Sequence, residues 1–414
     1  MKVRAKLVSA CALTALFVAP SVFATNGYFP HGHGIRSKSM GGVGIALPED
    51  ALAAADNPAG MVWVGNRIDF GVDWFRPVRN TQLNLGPGPF GAEYSGSDDQ
   101  DFLIPEFGYN RMLNANSSLG VSVYAHGGMN TSYTDLNTAT SGLIFGQGKL
   151  GVDLMQLFIS PTYSLKVSPN HSLGVSLNFA YQRFKAYGIQ NFDNPFFSSA
   201  PGSVSNNGYD SSTGWGLRVG WLGQISPGVS VGATYQSKTR MGKFDKYRGL
   251  FAEQGGFDIP ENYGVGIAVK ATPKMTIAAD LQRINYSKIK SIGNSGNIPA
   301  LLGTDNGPGF GWRDMTVLKL GASYALNDKL TLRGGLSHGN QPIPDTETFF
   351  NVLAPGVIEN HVTLGATWTL ANKSELTVGY MHAFKKTVNG TGPTAGFNLN
   401  MYQDSLGVTY GWKM

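Results

Sequence analysis

Cysteine is all but missing from this chain: its 414 residues include one, Cys11, inside the apolar N-terminal stretch. Lys2, Arg4 and Lys6, the run LVSACALTALFVAP and the small-residue site Val22-Phe23-Ala24 read as a secretory signal peptide over residues 1–24, with cleavage expected after Ala24. VSAC offers a lipoprotein-type cleavage box at Cys11, but it would leave only Leu7 to Ala10 as an apolar core. The mature chain therefore has no thiol. That excludes disulfides, zinc thiolates and cysteine catalysis.

Charge is scarce as well. Only 14% of residues are Asp, Glu, Lys or Arg, and losing the three leader cations lowers the net charge from +5 to about +2. No nucleic-acid partner is expected from such a balance. Long apolar runs are also lacking: nothing after Ala24 approaches the roughly 18 residues of a transmembrane helix. What is abundant is glycine (55), phenylalanine (23) and tyrosine (17). An exported, aromatic, weakly charged chain of this kind is a secreted β protein or an outer-membrane barrel.

From Arg67 onward the pattern has period two. In RIDFGVDW, Ile68, Phe70, Val72 and Trp74 share one face while Asp69, Gly71 and Asp73 share the other. Leu173 to Tyr181, Trp215 to Trp221 and Val362 to Leu370 repeat it, opposite Gly, Ser, Thr, Asn and Arg. Tyr181, Tyr324 and Trp412 end apolar faces, as an interfacial girdle would. Tight turns at NANS, SPNH, SPG, TPK, LND and ANK alternate with seven long segments, which requires fourteen strands with both ends periplasmic. The expected fold is an all-β, fourteen-stranded antiparallel barrel over residues 67–414.

Catalytic and metal motifs are absent. There is no G-x-S-x-G and no H-E-x-x-H, and GGVG near residue 41 lacks the strand and βαβ unit of a dinucleotide site. His31 and His33 have no third ligand spaced nearby, and His126, His338, His361 and His382 are scattered. Neither enzyme, metal nor cofactor is expected. Transport remains. Fourteen strands leave a lumen that holds water unless plugged, and residues 25–66 are the obvious plug, with Ile45, Leu47, Leu52 and Met61 expected to line an apolar pocket.

GIRSKSMGGVGIALPEDALAAADNPAG, SPTYSLKVSPNHSLGVSLNFAYQ, GWLGQISPGVSVGATYQSKTRM, IAADLQRINYSKIK and LKLGASYALNDKLTLRGGLSHGNQPIPD run through the chain in order. Together they resemble the FadL/TodX family of outer-membrane transporters for long-chain fatty acids and hydrophobic compounds. The resemblance implies an N-terminal hatch ending in Asn57-Pro58-Ala59. It also implies ligand capture between the third and fourth outer loops, where Phe192, Phe196, Phe197, Leu250, Phe251 and Phe257 stand, passage to a hatch site, and lateral release at a kink in the third strand.

Gly127-Gly128 interrupt that strand's alternation, as a bend would. A fatty-acid carboxylate would need lumenal cations. Strand parity offers Arg313, Lys319 and Arg333, with Asp280 a structural partner for Lys319, whereas Arg183 and Lys185 fall on the outward face. The expected function is passive uptake of hydrophobic molecules, fatty acids ahead of aromatic hydrocarbons, by a monomer whose other partners are outer-membrane lipid and the barrel-assembly machinery. The latter is implied by the aromatic last strand SLGVTYGWKM. An adhesive surface barrel and a general solute porin are the competing classes.

Overall fold

A computed structural model describes residues 26–414; the expected signal peptide lies outside the described residues. Fourteen strands form the wall: β1 (Arg67–Leu83), β2 (Phe102–Asn114), β3 (Ser117–Tyr133), β4 (Leu150–Ser168), β5 (His171–Tyr187), β6 (Asp210–Ser226), β7 (Val229–Gln236), β8 (Asn262–Thr272), β9 (Met275–Ile284), β10 (Met315–Asn327), β11 (Leu330–Gly339), β12 (Asn360–Thr369), β13 (Glu375–Val388) and β14 (Phe397–Lys413). Each pairs antiparallel with its chain neighbour, and β1 closes on β14 from Arg67↔Lys413 to Leu83↔Phe397. All six tight turns fall where the turn residues put them. Two fragments in the long loops, Glu93–Ser95 and Arg240–Met241, add edge pairings to β1 and β6.

The alternation has the expected orientation. Phe70, Leu173, Leu281 and Leu364 point outward and are exposed, while Asp69, Asp73, Asn178 and Thr363 point inward and are buried. Apolar residues face out because the surrounding medium of such a wall is hydrocarbon.

Residues 26–66 fill the lumen. Their only helices are single turns, α1 (Ile35–Lys38) and α2 (Met61–Val64), with 3-10 turns at Ala53–Ala55 and Pro58–Gly60. The wall's glycines explain how so irregular a segment packs so closely. A Cβ at Gly335 would strike the backbone of Met40 and Gly41, one at Gly174 that of Pro58, one at Gly407 the side chain of Ile35. Missing side chains on the wall are sockets for the segment.

Ion pairs fix its periplasmic side. Arg36 reaches Glu375 at 2.5 Å, Lys38 reaches Asp73 at 2.9 Å, and Arg333 reaches Glu49 at 2.7 Å. Asn57 is a rivet on the opposite wall. Its Oδ1 accepts from Ala59 N–H (3.1 Å) and its Nδ2 donates to the carbonyls of Ile45 (2.8 Å) and Trp221 (3.0 Å), while Pro58 presets the turn. Removing that side chain in Asn57→Ala strips a cap and takes the side-chain donor from the buried Ile45 carbonyl. The expected loss is about 2 kcal/mol of unfolding free energy, read from guanidinium midpoints. A loss below about 0.5 kcal/mol would show the rivet to be idle.

Candidate functional site

The outer loops fold inward over the mouth of the barrel. Tyr133 and Thr131, at the top of β3, donate to the carbonyls of Val352 (2.9 Å) and Leu353 (2.8 Å) in the sixth loop and hold it across the lumen. Beneath lies a small apolar chamber of about 30 Å³ between Leu250 and Phe251 of the fourth loop, Leu302 and Phe310 of the fifth, and Phe350 and Leu353 of the sixth, floored by Val152 and Phe184.

Rings continue downward from it. Phe251 lies 4.9 Å from Phe257, Phe257 6.2 Å from Tyr28, Tyr28 5.2 Å from Phe29, Phe29 4.4 Å from His126, and His126 stacks on Phe158 at 4.1 Å. Ring pairs at these spacings take offset or edge-on geometries that reform readily around a flat guest.

The column ends where the wall is interrupted. β2 pairs with β3 only as far as Phe107↔Val123. Above that point β2 pairs with β1 alone, and β3 pairs with β4 until Ser132, near its top, also bridges to Ser97 of the first loop. His126 is an extra residue in β3, inserted between Ala125↔Leu157 and Gly127↔Gln156. Such a bulge bends its strand and releases ladder hydrogen bonds. Tyr28 occupies the opening from inside: its carbonyl accepts from Gly128 N–H at 3.1 Å, and a Cβ on Gly127 would meet its ring at 2.7 Å. Arg79 of β1 spans the gap to Asn130 at 3.3 Å.

A polar chamber adjoins the column on the side away from the gap. His33, Asp56, His126, Arg218, Asp280 and Lys319 border a narrow space of about 10 Å³ there, room for one water or one hydroxyl group, with Phe29 and Ile45. His33 Nδ1 lies 2.8 Å from Asp56, and burial holds its imidazole below its usual range, hence neutral. Asp280 Oδ2 accepts from the N–H groups of Gly44 (2.7 Å) and Ile45 (3.0 Å).

Several expected site residues stand elsewhere. Phe251 and Phe257 are buried, not exposed capture residues, because the loop carrying them turns into the lumen. Phe196 and Phe197 are exposed, and Phe192 packs on Phe197 and Phe350 beside the chamber. The third loop thus contributes a rim, and loops four to six the chamber.

Ile45, Leu47, Leu52 and Met61 do not share a pocket. Leu52 joins the aromatic core, Leu47 packs on the Met40 cluster, Met61 on Ala53 and Ala54, and Ile45 against Gly264 and Gly266. A plug that touches the wall on all sides sends successive apolar residues in different directions.

Arg313 is an exposed loop residue, because β10 begins only at Met315 and strand parity has no meaning before it. Arg333 faces inward but is held by Glu49 and Thr367. Lys319 faces inward as expected, opposite Asp280 in register. Arg183 and Lys185 lie outward and stack over Tyr209 at 4.6 and 4.7 Å. Asn57-Pro58-Ala59 sits against β5 to β7, and it is Tyr28 that meets Gly127-Gly128.

Sequence reasoning missed the pair Tyr28-Phe29 and the ionic side chains of the plug. A signal existed for the second: Asp69, Asp73 and Glu106 face a lumen whose wall supplies few cations near them, so Arg36 and Lys38 were the available partners.

The fold is similar to that of the toluene transporter TodX of Pseudomonas putida, at TM-score 0.70 and 18% identity over 94% of this chain and 100% of that one. The toluene transporter TbuX of Ralstonia pickettii superposes at 0.66 with 18% identity, over 93% and 99%. A FadL homologue of Pseudomonas aeruginosa superposes at 0.69 with 14% identity, over 94% and 99%. No curated protein matches the sequence. A family model described as outer membrane protein transport protein (OMPP1/FadL/TodX) matches residues 22–411, so the chain belongs to the FadL/TodX family of outer-membrane channels for hydrophobic compounds.

Proposed function

We propose that this channel takes up compact aromatic molecules passively. They are captured in the chamber under loops four to six, descend the ring column past Tyr28 and Phe29, and leave sideways between β2 and β3. The observation that carries this reading is the unbroken series of rings from Phe251 to His126, ending at the unpaired stretch of β3. In this reading residues 25–66 are a hatch whose anchored body stays in place while the Tyr28 end shifts.

Long-chain fatty acids are the second reading, favoured by inward-facing Lys319. Against it, Arg313 is outside the lumen and Arg333 is already paired, so two of the three cations that strand parity offered a carboxylate are unavailable. Two relatives of similar fold are toluene transporters.

Uptake of radiolabelled toluene and oleate by cells lacking other hydrophobic channels tests the choice. Toluene uptake is expected to rise at least tenfold over the vector control and oleate uptake to stay at background. Oleate uptake alone would establish the second reading. Sugar permeation in liposome swelling would instead mark an open porin.

A further inference from the structure

We infer that the polar chamber beside the ring column is a recognition site for an uncharged hydroxyl group, so that the favoured ligands are aromatic molecules bearing a phenolic or alcoholic –OH. The inference rests on the proposed aromatic uptake and specifies the ligand within it.

Four side chains more than nine-tenths buried border this chamber with a polar atom that has no hydrogen-bond partner: Asp280 Oδ1, Asn262 Nδ2, Arg218 Nε and His126 Nδ1. His33 Nε2 is a fifth such atom. Each buried orphan of this kind carries an uncompensated desolvation cost unless something satisfies it. Clustering them around one space places a hydrogen-bonding guest there. The set holds both donors (Asn262, Arg218) and an acceptor (Asp280), so it matches a group that donates and accepts, as a hydroxyl does.

Charge selects the hydroxyl over a carboxylate. Arg218 and Lys319 balance Asp56 and Asp280, and His33 is neutral. Arg218 is further engaged with Gln236 at 2.5 Å and with the Asp56 carbonyl at 3.1 Å. A carboxylate would leave the buried set with a net negative charge, at a desolvation cost a neutral guest does not incur. Position completes the case. Phe29 and His126 belong to both the column and the chamber, so a ring packed against this pair from the column presents a substituent to the polar side.

The test is competition against a fluorescent apolar probe by 4-butyltoluene, 4-butylphenol and 4-butylbenzoate, with the full chain in lipid nanodiscs and empty nanodiscs as blank. The phenol should compete about tenfold better than the toluene, since a site built to hydrogen-bond an –OH rejects an analogue lacking it. The benzoate should be weakest. In Lys319→Met and Asn262→Leu the phenol-to-toluene ratio should fall to about twofold or less, each variant being checked for heat-modifiable migration as a folded barrel.

Equal competition by phenol and toluene in the parent chain would mean that the chamber holds water only, and would overturn the inference while leaving aromatic uptake standing. Strongest competition by benzoate would overturn it in favour of an anion site. Failure of all three to compete would remove the aromatic reading itself.

Discussion

Glu375→Leu should lower the unfolding free energy by about 3–5 kcal/mol, the largest stability loss expected of any single substitution in the lumen. Its carboxylate accepts from Arg36 at 2.5 Å and Arg67 at 3.2 Å on one oxygen and from Lys413 at 2.8 Å on the other. Leucine keeps the volume and removes the charge. Two guanidinium groups, both with side chains less than a tenth exposed, then lose their shared acceptor, although Arg67 keeps Asp69 at 2.6 Å. Lys413 is half exposed and returns to water at little cost. Denaturant unfolding followed by tryptophan fluorescence reads the loss, and Glu375→Gln, which retains an oxygen acceptor, should recover part of it. A change below about 1 kcal/mol would mean that water replaces the carboxylate and that this side of the plug is wet.

The second large effect concerns transport. Gly127→Val combined with Gly128→Val should reduce uptake of the labelled aromatic at least tenfold while leaving barrel assembly intact, a barrier increase of about 1.4 kcal/mol or more. Two β-branched residues favour a regular strand. A Cβ at Gly127 also displaces the Tyr28 ring, carbonyl and all, from the place it occupies at the gap. Uptake measured on heat-modifiable, folded protein separates blocked transport from failed assembly. Unchanged uptake would move the exit away from β3 and require a path past the plug.

The wall was legible in the sequence because a barrel wall is one residue thick. Period two decides which face each side chain takes, and RIDFGVDW could be assigned without knowing anything else in the molecule. Turn residues then counted the strands. That local logic stops at the strand ends. Arg313 lies two residues before Met315, and parity extended across the boundary put it in the lumen when it is in the loop. Phe251 and Phe257 look like surface phenylalanines from their loop setting, yet the loop enters the barrel mouth and buries them.

Within the plug, neighbours in sequence are not neighbours in space. Ile45 meets β8 while Leu52 meets β2, so an apolar pocket inferred from their proximity in the chain dissolves. Inward-facing Arg333 was placed correctly, but its engagement by Glu49 joins residues far apart in the chain, and no single-sequence pattern reports such a pair.

The glycine sockets change what it means to speak of two parts. The wall carries, in the side chains it lacks, a cast of residues 26–66: Gly335 is the imprint of Gly41, Gly174 of Pro58, Gly407 of Ile35. Mould and casting are thus encoded at separate places in one chain and have meaning only together. A plug borrowed from a relative brings no imprint with it, and would need its matching glycines transferred along ten or more strands before it could seat.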